Sequence, residues 1–140
     1  MDREQQGPTG GITAHLTIRD NRAAEAINFY KAAFGAEEVM APHLADDGKR
    51  VMHSHLLVNG GHLMLNDDFP EHGGAATAPG SITLHLQVKD ADAAWNQALE
   101  AGATEKMPLA DQFWGDRYGQ IVDPFGFAWS IGAPLSAPRD

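Results

Sequence analysis

The chain has 140 residues, a formal charge of −9 with histidines neutral, seven histidines, no cysteine and 43% hydrophobic residues, enough for one ordinary core. The missing cysteine excludes thiol nucleophiles, disulfides and thiolate-held metals, and the acidic balance argues against nucleic acid and anionic membrane as partners. No apolar run reaches the ~20 residues of a membrane span, and Met1–Gly10 lacks a signal segment, so a soluble cytoplasmic protein that meets a small molecule or another protein is expected.

In chain order, residues 11–20 (GITAHLTIRD) alternate as a strand, with Ile12, Ala14, Leu16 and Ile18 on one face and Thr13, His15, Thr17 and Arg19 on the other. Asp20 or Asn21 is the expected N-cap of a helix over AAEAINFYKAAF, whose stripe Ala23, Ile27, Tyr30 and Phe34 faces the core and which Gly35 closes. Extended segments are predicted over 36–43, 50–58 and 62–67, with Asn59-Gly60-Gly61 as a hairpin turn. Residues 68–80 read as a Gly-, Ala- and Pro-rich linker.

The pattern then returns. Residues 81–90 (SITLHLQVKD) set Ile82, Leu84, Leu86 and Val88 against Thr83, His85, Gln87 and Lys89. Asp90 is the expected cap of the helix ADAAWNQALEA, with stripe Ala91, Ala94, Trp95, Ala98 and Leu99 and Gly102 at its end. Extended segments follow at 104–109, 117–122 and 127–131, with Asp123-Pro124-Phe125-Gly126 as a turn. The two decapeptides share Ile, Thr, His, Leu and Asp at matched places, His85 lying 70 residues after His15, half the chain length. The order is βαβββ twice, a duplicated module: one domain over 11–132, built from 11–67 and 81–132, with flexible ends at 1–10 and 133–140.

The duplicated arrangement, with FYKAAFGAEEV early and WGDRYG and DPFG late, resembles the vicinal-oxygen-chelate superfamily of glyoxalases, bleomycin-resistance proteins and extradiol dioxygenases, and within it the PhnB-like branch. The resemblance implies an α+β fold, two tandem βαβββ modules forming one curved, mostly antiparallel eight-stranded sheet with helices outside and a ligand cavity inside. It also implies a homodimer. In metal-dependent members each module gives one ligand from its first strand and one from its last, which maps to Thr13, Met64, Thr83 and Ser130. Two threonines, a methionine and a serine do not supply the imidazole or carboxylate that a divalent ion wants, so the usual metal site is expected to be missing.

Two constellations remain as candidates. His15, His85 and His55 of the His53-Ser54-His55 pair either line a cavity as polar groups or hold a divalent metal such as Zn, Ni, Mn or Fe. His43, His62 and His72 are expected at exposed places. Trp114, Arg117 and Tyr118 either bind ligand, the arginine taking an anion while the rings give flat apolar contact, or serve structure, with Arg117 paired to Asp116 or Asp123 and Trp114 plugging the core. Glu37, Glu38, Asp67 and Asp68 come as adjacent pairs and read as a solvated edge. No G-x-S-x-G, Walker or G-x-G-x-x-G signature is present. Two functions follow: a small-molecule-binding protein without the standard metal, its acidity favouring cationic ligands, or a metal-dependent lyase, isomerase or dioxygenase-like enzyme using relocated histidines. A subunit-interaction role is the third reading.

Overall fold

A computed structural model of the chain describes residues 7–73 and 75–135. The chain divides into two compact units: the first contains Met1–Lys31 and Gly35–Thr77, the second Ala32–Phe34 and Ala78–Asp140. The expected ends at 1–6 and 136–140 lie outside the described residues.

In the first unit, β1 (Ala14–Ile18) leads to α1 (Ala23–Phe34), two short strands β2 (Glu37–Glu38) and β3 (His43–Leu44), and the long hairpin β4 (Val51–Val58) and β5 (Gly61–Asp67). The sheet order is β1-β5-β4-β2, with β3 also on β4; β1 runs parallel to β5 and the remaining pairs are antiparallel. The expected strand over 36–43 is broken into β2 and β3 around Pro42, which has no N–H to give to a ladder. Asn59 and Gly60 both have positive φ, 52° and 81°, as the two-residue turn of this hairpin demands.

The second unit repeats the order: β6 (Thr83–Gln87), α2 (Ala91–Ala101), β7 (Thr104–Asp111), β8 (Asp116–Val122) and β9 (Ala128–Pro134), in a sheet β6-β9-β8-β7 with β6 parallel to β9. The architecture is thus α+β with two βαβββ modules, and the strands divide between a five-stranded and a four-stranded sheet rather than forming one sheet of eight. Residues 133 and 134, expected in a flexible end, complete β9; Ala133 is buried.

Alternation places the core as the sequence implies. Leu16, Ile18, Leu56, Leu63 and Leu65 are buried with Ala23, Ile27 and Tyr30 of α1, and Leu86, Ile121, Trp129 and Ile131 with Trp95 and Ala98 of α2. Ile12 and Ile82 depart from this pattern. They precede the strands instead of extending them and stand in solvent, 101% and 74% exposed. α2 is capped as expected, the Asp90 carboxylate accepting from Ala93 N–H at 3.0 Å.

α1 is not. Asp20 and Asn21 have φ of 64° and 59°, whereas an N-cap side chain acts from extended backbone. The cap residue is Arg22, which makes no side-chain cap bond. The acceptor comes from the far end of the module, where the Asp67 carboxylate takes Ala23 N–H at 2.8 Å and Val51 N–H at 2.7 Å. Asp67 is 1% exposed, so it is a buried tie and not part of a solvated edge.

Candidate functional site

Each sheet packs one face into an apolar core and carries polar side chains on the other, some of them buried, as Ser130 and His55 are. In the second unit the polar face is built on two rungs. His85 of β6 lies opposite Ser130 of β9, and Ser130 opposite Gln120 of β8; one rung on, Gln87 lies opposite Gly132, and Gly132 opposite Tyr118. The side chains form two hydrogen-bonded groups, bridged by the stacking of His85 and Tyr118. His85 Nδ1 is 2.7 Å from Ser130 Oγ, His85 Nε2 is 2.7 Å from Gln87 Oε1, and Gln120 Nε2 donates to the Tyr118 hydroxyl at 3.0 Å. A Gln87 carbonyl accepts only, so Nε2 carries a proton toward it, while the Ser130 hydroxyl, which can donate or accept, meets Nδ1.

An aromatic ladder runs along these groups. Tyr118 stacks beside His85 at 5.8 Å between ring centroids, Trp114 meets Tyr118 edge-on at 5.5 Å, and Phe113 meets Trp114 edge-on at 5.1 Å. Phe113 and Trp114 occupy the tip between β7 and β8, where they are 96% and 48% exposed. Trp114 therefore does not plug the core; its indole N–H donates to Asp116 at 3.1 Å. Gly132 makes the stacking possible, because a Cβ there would come within 2.9 Å of His85 Cε1.

Arg117 is adjacent to Tyr118 in sequence and so lies on the opposite face of β8. Its guanidinium bonds Asp92 of α2 at 3.1 Å and Asp111 of β7 at 2.9 Å. The expected partners Asp116 and Asp123 are not its partners. Asp123 instead accepts from Phe125 N–H, Phe127 N–H and the Trp129 indole. Arg117 lines a cavity of about 290 Å³ with Lys89, Asp90, Asp92 and Pro134, and its charge is already paired with Asp92 and Asp111.

The first unit carries a histidine-rich polar face. His15 lies opposite Met64, Met64 opposite His55, and His43 opposite His53. The rings do not converge on one point: His15 Nε2 is 2.7 Å from Asn66 Oδ1, whereas His55 Nε2 is 2.8 Å from His62 Nδ1. Asn66 and His62 lie at opposite ends of β5 from Met64, so His15 and His55 reach away from each other. His62, expected at an exposed strand end, is half-buried against His55. Burial, and then the neighbouring His62 and His53, hold His55 below its ordinary pKa of 6.5. A second cavity of about 490 Å³ is lined by Asp47, Arg50, Met52, Phe69, Glu71 and His72; Arg50 stacks over Phe69 at 4.3 Å and is pinned by Asp47 and Glu71.

The positions that the resemblance assigns to a metal fall as follows. Thr13 precedes β1, and Thr83 lies opposite Ala128; the residues across from Met64 and Ser130 are His15 and His85. A first-and-last-strand pair is thus an imidazole with a thioether in one unit and an imidazole with a hydroxyl in the other. Among the described residues no three His, Asp or Glu side chains gather as a metal cage. The donors present do not fit the family's usual divalent ion, which wants imidazole and carboxylate together.

Of the sequence candidates, then, His85, Trp114 and Tyr118 come together, Arg117 does not join them, and His15 and His55 have separate partners. Gln87, Gln120 and Ser130 complete the set of polar groups. Gln87 was legible as a face-mate of His85 by parity; Gln120 and Ser130 needed the strand register.

The comparisons agree with this architecture. A family model described as "Glyoxalase/Bleomycin resistance protein/Dioxygenase superfamily" matches residues 12–131. The uncharacterized protein Rv0887c of Mycobacterium tuberculosis is 46% identical, over 94% of this chain and 82% of its own length. The X-ray structure of an Arabidopsis thaliana gene product, At5g48480, superposes with a TM-score of 0.69 at 30% identity, over 89% of this chain and 98% of that one. A Bacillus cereus structure described as a putative 3-demethylubiquinone-9 3-methyltransferase, PhnB protein, gives a TM-score of 0.69 at 21% identity, over 89% and 99%, which speaks for the fold alone. With duplicated βαβββ modules and a family match over nearly the whole described length, the chain belongs to the glyoxalase/bleomycin resistance protein/dioxygenase superfamily.

Proposed function

We propose that the protein binds a neutral, planar small molecule on the polar face of its second sheet. The observation that carries this reading is the ladder of Phe113, Trp114, Tyr118 and His85 beside uncharged hydrogen-bonding groups. Exposed aromatic rings supply flat contact area, and a few placed polar groups fix orientation, which is how small-molecule sites are commonly built. Tyr118, Gln120, Gln87, Ser130 and His85 offer hydrogen-bond donors and acceptors. The nearest cation in sequence, Arg117, points to the helix side and is already paired. An anionic ligand would lose its hydration on this face and gain no counter-charge, and the carboxylate on it, Asp116, is already engaged by the Trp114 indole N–H.

A charge-matched series tests the reading: 2-naphthamide, 2-naphthoate and 2-naphthamidinium share one ring system and differ in charge. Thermal shift and calorimetric titration are expected to register the amide and not the two ions. Equal or stronger binding of either ion in wild type would sink the proposal, as would an amide response that survives Trp114→Ala.

A further inference from the structure

We infer that His55 and His62 form a two-imidazole site for a first-row divalent cation, copper(II) foremost, on the β4–β5 hairpin. This pair is separate from the aromatic ladder of the second unit, and its His55 shares a rung with Met64 and His15. His55 projects from β4 and His62 from β5, one rung apart on the same face, His62 lying opposite Leu57 and His55 opposite Met64. Their facing nitrogens, His55 Nε2 and His62 Nδ1, are 2.8 Å apart, with the rings tilted by 45° and centroids 4.9 Å apart.

The separation matches that of two nitrogens on a shared metal, and both rings must turn off the hydrogen-bond line for their lone pairs to converge on it. Two imidazole nitrogens bound at ~2.0–2.1 Å and at right angles to each other sit about 2.9 Å apart, and somewhat farther in tetrahedral geometry. The backbone already supplies the approach: the turn at Asn59-Gly60 fixes the register, and His55 is 4% exposed, so its ring has little freedom to lose. Without metal, one of the two facing nitrogens carries the proton of the hydrogen bond. On binding, that proton passes through solvent to the other nitrogen of the same ring, leaving both facing lone pairs for the cation. No net proton is released when both rings start neutral. Imidazole suits copper, nickel and zinc, and among the divalent ions copper(II) heads the affinity order. Two protein donors leave the remaining positions to water or an exogenous ligand.

The test is titration of the purified chain with copper(II) alone, followed by calorimetry and electron paramagnetic resonance. One equivalent is expected, with hyperfine splitting from two imidazole nitrogens. His62→Ala is expected to weaken binding by at least the ~10–100-fold that accompanies loss of an outer-sphere partner. His72→Ala and His15→Asn are expected to leave it unchanged. The resonance spectrum of wild type stands by itself should His62→Ala fail to fold. A spectrum without imidazole nitrogen, or undiminished affinity in a folded His62→Ala, would overturn the inference, and so would loss of the site in His72→Ala.

Discussion

Asp67, the last residue of β5, holds the first backbone N–H of α1 through Ala23 at 2.8 Å, and its second oxygen holds the first N–H of β4 through Val51 at 2.7 Å. One buried carboxylate thus joins the starts of two elements that lie 44 and 16 residues away in sequence. It replaces the N-cap that Asp20 and Asn21 do not provide.

Asp67→Ala is expected to orphan both N–H groups in a buried place, at about 1–3 kcal/mol for each donor. Asp67→Asn retains one oxygen acceptor and should cost less. Urea unfolding of both variants measures this; equal stabilities of wild type and Asp67→Ala would refute the role of the tie.

Two glycines separate packing from function. A Cβ at Gly119 would lie 2.8 Å from Leu109 Cα and 2.7 Å from the Trp95 ring, so backbone and a buried indole are both in the way. Gly119→Ala is expected to lose about 1–3 kcal/mol by overpacking. At Gly132 the obstacle is the far end of the exposed His85 ring at 2.9 Å, which can swing aside. Gly132→Ala is expected to keep most stability and to weaken amide binding by displacing His85 from Ser130 and Tyr118. Thermal denaturation and calorimetric titration of the two variants distinguish these outcomes; the reverse ranking would contradict the account.

Acid is expected to weaken the fold through His55. Its folded-state pKa lies below the ordinary 6.5, chiefly because of burial and then because of His62 and His53. As pH falls through 6.5 the unfolded chain takes up a proton that the folded chain still refuses. The stabilisation is therefore complete above 6.5 and is lost as pH falls toward the lowered folded value. Tm measured from pH 7.5 down to pH 5 should drop more steeply in wild type than in His55→Gln. Parallel curves would show that His55 does not carry this dependence.

Arg117→Gln should hardly touch ligand binding. Its guanidinium spans Asp92 and Asp111 on the helix side, with about a third of its side chain and more of its partners exposed, so solvent screens the pairs and they add little to stability. A small fall in Tm with unchanged amide affinity is the expected result. Loss of affinity in this variant would place the arginine in the site after all.

Much of the fold was legible because the strands alternate and the decapeptides repeat. His15 and His85, Leu16 and Leu86, and the glycines closing each helix mark the modules directly. The cap of α1 was not legible. Adjacency suggested Asp20 and Asn21, whereas the acceptor is Asp67, brought in by the parallel pairing of β1 with β5. In the candidate site, parity identified His85 with Gln87, and composition identified Trp114. Arg117 misled because an arginine beside a tyrosine in WGDRYG lies near the site in sequence and on the other face of the strand. His62 was read as a loose strand end, since only the β4–β5 register brings it to His55.

The most direct test follows the three indole N–H resonances of the isotope-labelled chain while 2-naphthamide is added. Trp95 and Trp129 are buried, at 7% and 3% exposure, whereas Trp114 is 48% exposed on the aromatic ladder. The account predicts a saturable shift of the Trp114 resonance, with the other two unmoved, and no comparable shift with 2-naphthoate or 2-naphthamidinium. A Trp114 resonance that stays in place at saturating amide, or that moves equally with the charged analogues, would contradict it.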